Sequence, residues 1–164
     1  MGVVPEEGDR APDFTLAGLS PEGEEVEVSL SQFLGGEKMV VLYFYPKDNT
    51  SGCTTEACDF RDNMNRVSSR AVVLGVSPDS IRSHMRFREK HGLNFYLLSD
   101  PEKSVMESYG AFGEKKMYSK VVKGVIRSTF IIAPDGTIVK AWRKVRAKGH
   151  VDKVLQELDR LSGS

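Results

Sequence analysis

The sequence predicts an α/β fold, in which helices flank a central mixed β-sheet within a single domain spanning residues 1–164. Three observations support this prediction. An apolar run without alternation is typical of a strand that is buried on both faces. Apolar residues at helical spacing follow it, and a second strand and helix come next along the chain. A hairpin and a last helix then close the sequence, which favours a sheet with both parallel and antiparallel strands.

The first forty residues are rich in turn-forming glycine and proline and predict an N-terminal extension. Two short alternating stretches, residues 14–17 and 25–29, are expected to form an edge hairpin. Residues 39–45 are apolar throughout and carry β-branched and aromatic side chains, which favour a strand covered on both faces. The turn-forming residues 46–52 end this strand.

A helix of about four turns is predicted from Cys53 onward, because apolar residues recur there at helical spacing. These residues are Ala57, Phe60, Met64 and Val67. Residues 71–76 predict a second buried strand, and residues 80–91 predict a helix that ends at Gly92. A third strand at residues 94–98 and a short helix around residues 102–108 complete this part of the chain.

Residues 128–133 and 137–142 predict a hairpin around residues 134–136, since Gly136 supplies the positive φ that such turns need. A final helix is predicted by an apolar stripe made of Val151, Val154, Leu155, Leu158 and Leu161. Strand–helix–strand–helix, then a hairpin and a closing helix, is the layout of a thioredoxin-like fold with an N-terminal extension and an insertion.

Basic and acidic residues balance at 23 each, so no overall field attracts nucleic acid or an anionic membrane. The longest apolar run, residues 39–45, is far too short to span a bilayer. Residues 1–7 lack the basic region and apolar core of a signal peptide. We therefore expect a cytoplasmic protein without a nucleic-acid or membrane partner.

The two cysteines, Cys53 and Cys58, both lie where a strand gives way to a helix. A thiol at this junction meets the first free N–H groups of the helix and the positive end of its dipole, which favour a thiolate. Thr50, one turn earlier, can place a hydroxyl beside the sulfur. Pro46 fixes its own φ and has no N–H, so it shapes the loop wall without adding a donor.

Pro46, Thr50 and Cys53 match the Pro-x-x-x-Thr/Ser-x-x-Cys motif of peroxiredoxins. The wider run of residues 43–62 resembles the peroxiredoxin Q branch, also called the bacterioferritin comigratory protein family. The similarity continues through residues 127–132 and the Gly149–His150 pair to the final helix. Ser51 departs from the pattern, because the branch often has proline there.

This resemblance implies a thiol-dependent peroxidase that reduces hydrogen peroxide and organic hydroperoxides in antioxidant defence. By matching position, Cys53 is the peroxidatic thiolate that becomes a sulfenic acid. Thr50 and the Cys53 N–H hold the peroxide, and Arg127 stabilises the thiolate and the shifting charge. Cys58 is the resolving thiol that forms an intramolecular disulfide, as in atypical 2-Cys enzymes. Thioredoxin or a similar dithiol then reduces that bond.

Pro46, Gly52 and Glu56 complete the substrate pocket that the resemblance implies. Glu56 either positions Arg127 or is an ordinary acid in the first turn of a helix. We expect no cofactor, and a monomer or weak homodimer. The histidines lack metal-ligand spacing with the cysteines, and no glycine-rich phosphate loop follows a strand, so neither a metal site nor nucleotide use is expected.

Simpler interpretations stay open for the same residues. Cys53 could be a buried structural thiol, Cys58 an idle helix residue, Thr50 an N-cap or turn residue, and Arg127 a solvated charge. A basic segment near the C terminus is expected to be a solvated face or, alternatively, a docking site for an acidic partner. It comprises Lys140, Arg143, Lys144, Arg146 and Lys148.

Two other functions use the same features. A thiol–disulfide exchange or redox-sensing protein would use the cysteine pair without peroxidase turnover, although exchangers of the thioredoxin type have Cys-x-x-Cys, which this chain lacks. A non-catalytic holdase or interaction module on the same fold would need neither thiol. Consumption of peroxide with a dithiol donor separates the peroxidase from both.

Overall fold

The computed structural model describes residues 4–117 and 119–163, which form two β-sheets and the helices around the larger one. The strands are β1 Thr15–Leu19, β2 Glu25–Ser29, β3 Met39–Phe44, β4 Ala71–Ser77, β5 Tyr96–Ser99, β6 Phe112–Met117, β7 Lys120–Val125, β8 Ser128–Ile132 and β9 Ile138–Arg143. The helices are α1 Ser51–Asp62, α2 Met64–Val67, α3 Ile81–His91, α4 Ser104–Ser108 and α5 His150–Gly163, with a 3-10 helix at Leu30–Phe33.

The larger sheet has the strand order β2-β1-β5-β4-β3-β8-β9. Strand β4 runs parallel to β3 and β5, whereas the remaining pairs are antiparallel. The prediction of a mixed sheet flanked by helices is therefore confirmed. The predicted edge hairpin is confirmed, since β1 and β2 pair antiparallel at one edge of the sheet and β1 joins them to β5; only the bounds of β1 differ from those predicted.

Strand β3 lies in the middle of this sheet and is buried on both faces, as predicted. Its alternate residues Val40, Leu42 and Phe44 belong to one apolar core. Val41 and Tyr43 belong to a second core on the opposite face. That second core holds the inner faces of α1, α3 and α5, so β3 and α1 are packed directly together. Tyr45, predicted as the last strand residue, lies just beyond the strand.

The predicted four-turn helix is wrong in its bounds and its continuity. Helix α1 begins at Ser51 and ends at Asp62, and a separate short helix, α2, follows Asn63. Asn63 leaves helical geometry with φ −110° and ψ 8°. Its side chain donates to the carbonyl of Asp59 at 2.8 Å, which competes with the regular backbone ladder. Both pieces still bury the predicted stripe, since Phe60 and Val67 are fully buried.

Helix α3 agrees with its prediction at both ends. The hydroxyl of Ser80 accepts from the Ser83 N–H as an N-cap, and Gly92 ends the helix with φ 62°, in the left-handed region. The third strand lies slightly later than predicted, and α4 begins at Ser104, two residues late. Within the described residues, no helix combines the length and apolar character that crossing a membrane requires.

The antiparallel hairpin β6–β7 was not predicted, and it forms the second sheet. Its sequence gives no period-2 signal because most side chains of β7 are exposed, so no buried face enforces alternation. The hairpin is inserted between α4 and β8. It places Lys115 and Val125 beside the end of β3, where the candidate site lies.

Candidate active site

The first turn of α1 positions Cys53. Thr50 is the N-cap residue, and the first intrahelical bond runs from the Thr54 N–H to the Thr50 carbonyl at 2.8 Å. The N–H groups of Ser51, Gly52 and Cys53 therefore lie ahead of the helical ladder and are available to a ligand. The Cys53 side chain is 2% exposed and belongs to the core cluster under α1.

Arg127 reaches this turn from the strand beside β3. Ser128 pairs with Phe44 in the antiparallel register of β8 and β3, which puts the preceding residue at the end of β3. Its Nη2 donates to Sγ of Cys53 at 3.1 Å, and its Nη1 donates to Oε1 of Glu56 at 2.5 Å. The Arg127 side chain is 14% exposed, so the alternative of a solvated charge is wrong.

Glu56 lies one helical turn after Cys53 and is completely buried. Only Oε1 has a partner among the described residues, and Oε2 makes no hydrogen bond to them. Burial raises the pKa of Glu56 to about 7, against the opposing pull of Arg127. The contact supports the interpretation that Glu56 positions Arg127 and argues against an ordinary, solvated first-turn acid.

The hydroxyl of Thr50 does not cap the helix. It donates to the carbonyl of Lys47 at 2.8 Å, so Thr50 is both the N-cap residue by position and a turn residue by its side-chain bond. Between them, Asn49 adopts the left-handed region with φ 62°. Because the proton of the Thr50 hydroxyl is bonded to the Lys47 carbonyl, the Thr50 oxygen can accept a hydrogen bond from a ligand.

Gly52 allows the close approach of the arginine to the helix. A Cβ atom at this position would lie 3.3 Å from Nη2 of Arg127 and 3.6 Å from Cβ of Ala147. The first of these distances is tighter than an ordinary van der Waals contact. A side chain at residue 52 would therefore press on the guanidinium that contacts Cys53.

A cleft of about 470 Å³ opens beside the guanidinium of Arg127. Pro46 forms part of its wall, as predicted. The other lining residues are Lys115, Val125, Ile126, Lys144 and Val145. The cleft thus combines apolar surface with basic side chains beside the guanidinium that contacts Cys53.

Cys58 is a half-buried free thiol on the same helix as Cys53, which is also free. Five residues along an ideal helix separate two Cα atoms by about 8–9 Å. A disulfide needs Cα atoms within about 7 Å, so this helical conformation does not permit the bond. Cys58 can therefore bond to Cys53 only after this part of the helix unwinds.

The basic segment near the C terminus is not uniformly solvated. Arg143 donates to the carbonyls of Pro5 and Tyr109, and its guanidinium lies 5.0 Å from the ring centre of Phe130. Lys144 lines the cleft beside Arg127. Among residues 4–117 and 119–163, no group of three or more His, Cys, Asp or Glu side chains is arranged to hold a metal ion.

Sequence reasoning missed the buried contact between Asp48 and His84, which lies directly behind the Thr50 turn. Oδ2 of Asp48 is 2.7 Å from Nδ1 of His84, and both side chains are essentially inaccessible to water. From the sequence, the histidines, His84 among them, were considered only as metal ligands, a role that their spacing does not favour. The sequence feature that could have indicated this contact is an acidic residue in the centre of a turn, two residues after Pro46.

Comparisons with known proteins found similar sequences over most of the chain. The model of the AhpC/TSA family matches residues 7–141. Peroxiredoxin Bcp of Bacillus subtilis is 48% identical over 156 residues, which cover 94% of this chain and 96% of that protein.

Solved structures give the same result for the fold. Peroxiredoxin Q of Xanthomonas campestris is 41% identical, with a TM-score of 0.79 over 88% of this chain and 89% of that one. PrxQ of Xylella fastidiosa is 37% identical, with a TM-score of 0.85 over 98% and 99% of the two chains. The thioredoxin-like fold is thereby confirmed. A related Xanthomonas campestris bacterioferritin comigratory protein, 40% identical with a TM-score of 0.77 over 88% and 90% of the chains, is described for alkyl peroxide reduction.

Proposed function

The chain belongs to the AhpC/TSA family, in its peroxiredoxin Q (Bcp) branch, and on this premise we propose that it reduces hydrogen peroxide and organic hydroperoxides through a sulfenic acid on Cys53. The observation that carries the proposal is the position of Arg127, which donates to Sγ of Cys53 and to the buried Glu56 with the same guanidinium. A fixed cation at 3.1 Å from a thiol stabilises the thiolate, which is the nucleophile.

The proposed reaction transfers one oxygen atom to sulfur. The Cys53 thiolate attacks one peroxide oxygen, a sulfur–oxygen bond forms, and the oxygen–oxygen bond breaks. The other oxygen leaves with the electron pair of that bond and takes up a proton, so the thiol and hydroperoxide become a sulfenic acid and an alcohol or water. Negative charge moves from sulfur to the leaving oxygen, and Arg127 is placed to stabilise both.

The peroxide is held by groups that the first turn of α1 presents. The N–H of Cys53 donates to a peroxide oxygen, and the Thr50 oxygen accepts from the peroxide hydroxyl because its own proton is bonded to Lys47. The cleft beside Pro46 and Arg127 accepts the substituent of an organic hydroperoxide. Its basic and apolar lining suits substrates larger than hydrogen peroxide.

Cys58 is proposed to resolve the sulfenic acid. Its thiol attacks the Cys53 sulfur, water leaves, and an intramolecular disulfide forms, which a thioredoxin-type dithiol then reduces. Because both cysteines lie on the continuous helix α1, the first turns of that helix must unwind before the sulfur atoms can meet. The free, half-buried state of Cys58 is compatible with this sequence of events.

The test is a thiol count and intact mass after one equivalent of hydrogen peroxide. The proposal expects both thiols to disappear without a gain of oxygen, and Cys58→Ser to gain one oxygen on Cys53 instead. Continuous peroxide consumption must then depend on an added dithiol. A thiol–disulfide exchange protein would lose no thiol to peroxide at a catalytic rate, and a holdase would retain its function without either cysteine.

A further inference from the structure

The carboxylate of Asp48 is the centre of a buried hydrogen-bond cluster behind the Thr50 turn. Asp48 is 5% exposed, and its Oδ1 accepts from the Tyr45 hydroxyl at 2.6 Å. Its Oδ2 accepts from the Ser83 hydroxyl at 2.8 Å and lies 2.7 Å from Nδ1 of His84. The Asp48 N–H donates to Oδ2 of Asp79 at 2.7 Å. Both the side chain and the backbone of Asp48 are therefore fixed.

The partners of His84 determine where its protons lie. Nε2 is 2.9 Å from the carbonyl of Leu98, which can only accept, so Nε2 carries a hydrogen. One further proton lies between Nδ1 and the Asp48 carboxyl. Whether it is closer to nitrogen or to oxygen, the pair has no net charge, which is the state that burial favours.

This cluster attaches the Thr50 turn to parts of the chain other than α1. Ser83 and His84 lie in the first turn of α3, and Asp79 lies in the loop before it. On the opposite side of Asp48, the turn closes through the bond from the Thr50 hydroxyl to the Lys47 carbonyl. The turn that carries Thr50 is thus bonded to α3 through Asp48.

We propose that Asp48 and His84 are positioning residues, which hold the Thr50 oxygen where it receives the hydrogen of the peroxide. This role rests on the proposed peroxidase function. The hydrogen bonds that Asp48 and His84 make with the described residues include none to Cys53 or Arg127, so the pair acts on the peroxide-binding hydroxyl rather than on the thiolate. Residues displaced by about 1 Å from their productive geometry commonly reduce rates by about 10²-fold.

Substitution of Asp48 separates the two effects. Asp48→Ala should lower kcat/KM for hydrogen peroxide by at least about tenfold. The rate at which iodoacetamide alkylates Cys53 should stay unchanged, because alkylation needs the thiolate but not Thr50. Asp48→Asn should rescue most of the loss. Its amide can donate to a neutral His84 and to Ser83, while its oxygen still accepts from Tyr45.

A double-mutant cycle with Thr50→Val tests whether Asp48 acts through Thr50. In the Thr50→Val background, Asp48→Ala should reduce kcat/KM by less than about threefold further, since the positioned group is already gone. Val28→Ala, at a buried position in the edge strand β2, serves as the control for lost stability and should leave kcat/KM unchanged.

Each outcome decides between the alternatives. Fully multiplicative losses in the cycle, or equal slowing of alkylation and peroxide reduction by Asp48→Ala, would overturn the positioning role. An active parent protein whose Asp48→Ala variant keeps its rate overturns this role alone. A parent protein that consumes no peroxide overturns the proposed function and the positioning role together.

Discussion

The Nη2 atom of Arg127 lies 3.1 Å from Sγ of Cys53, although the two residues are 74 positions apart in the sequence. The contact exists because β8 is the antiparallel neighbour of β3. The start of β8 therefore lies beside the end of β3, next to the first turn of α1. The same guanidinium is fixed by Glu56 on that helix. The pairing of β3 with β8 thus places a positive charge beside the Cys53 thiol. The following predictions depend on this arrangement.

Cys53→Ser should abolish peroxide reduction, because a serine hydroxyl has a far higher pKa than a thiol and supplies no comparable nucleophile at neutral pH. Initial rates of peroxide loss with a dithiol donor provide the measurement. Cys58→Ser is the matched control, since it makes the same sulfur-to-oxygen change on the same helix and should retain the first turnover. Substantial turnover by Cys53→Ser would remove Cys53 from the reaction.

Arg127→Ala should slow peroxide reduction by about 10²-fold even at a pH where Cys53 is fully ionised, because the charge also acts on the leaving oxygen. Arg127→Lys should lose less, since it keeps the charge but not the two-pronged geometry. Rates are measured from neutral to alkaline pH. If alkali restored the parent rate to the alanine variant, the transition-state role would be wrong.

Glu56 predicts a pH dependence of stability. Burial raises its pKa from 4.5 to about 7, so the folded state binds more protons than the unfolded state in that interval. The contribution is fully present below pH 4.5 and is lost as the pH rises through about 7. At about 1.36 kcal/mol per pH unit, the loss is about 3 kcal/mol.

Glu56→Gln should remove this decline in the free energy of unfolding between pH 4.5 and about 7. Urea denaturation at several pH values measures it. Asp62→Asn is the matched control, because it removes an exposed carboxylate from the same helix. A glutamine variant with the parent slope would contradict the assigned titration.

Oxidation should melt at least the first turn of α1, because Cys53 and Cys58 cannot bridge within the helix. Far-UV circular dichroism should lose helix signal, and the amides of residues 54–59 should exchange faster. The stacking of Phe60 on Tyr43, at 4.8 Å between ring centres, should be disturbed. Cys58→Ser should keep its helix and accumulate sulfenic acid. An unchanged helix that carries the disulfide would refute the unwinding. An intermolecular disulfide would refute Cys58 as the internal resolving thiol.

Gly52→Ala should separate stability from activity. Alanine favours a helix interior over glycine by about 1 kcal/mol, so thermal unfolding should move to higher temperature where the guanidinium of Arg127 gives way to the added methyl group. Its Cβ would lie 3.3 Å from Nη2 of Arg127, and the displaced guanidinium should slow peroxide reduction. An alanine variant with the parent rate would show that Arg127 accommodates the extra methyl group.

The structural features that the sequence predicted best are those that depend on a local pattern of residues. The unbroken apolar run of β3 indicated a central strand, and the spacing of Pro46, Thr50 and Cys53 located the site. The break at Asn63 was missed because one side-chain hydrogen bond outweighs a continuing apolar stripe. The Asp48–His84 pair was missed because it depends on the packing of α3 against the loop, which no short-range pattern records.

The break at Asn63 has a consequence for the catalytic cycle. In the helical state Phe60 is buried in the core, and the Asn63 side chain donates to the Asp59 carbonyl, so the last turn of α1 has contacts that do not involve its first turn. A helix nucleus is the costly part of helix formation, whereas extension from an existing turn takes about nanoseconds per residue. In the proposed cycle, we expect this last turn to serve as a template from which residues 53–58 rewind after the disulfide is reduced, so that the reductant rather than refolding limits recovery of the reactive thiol.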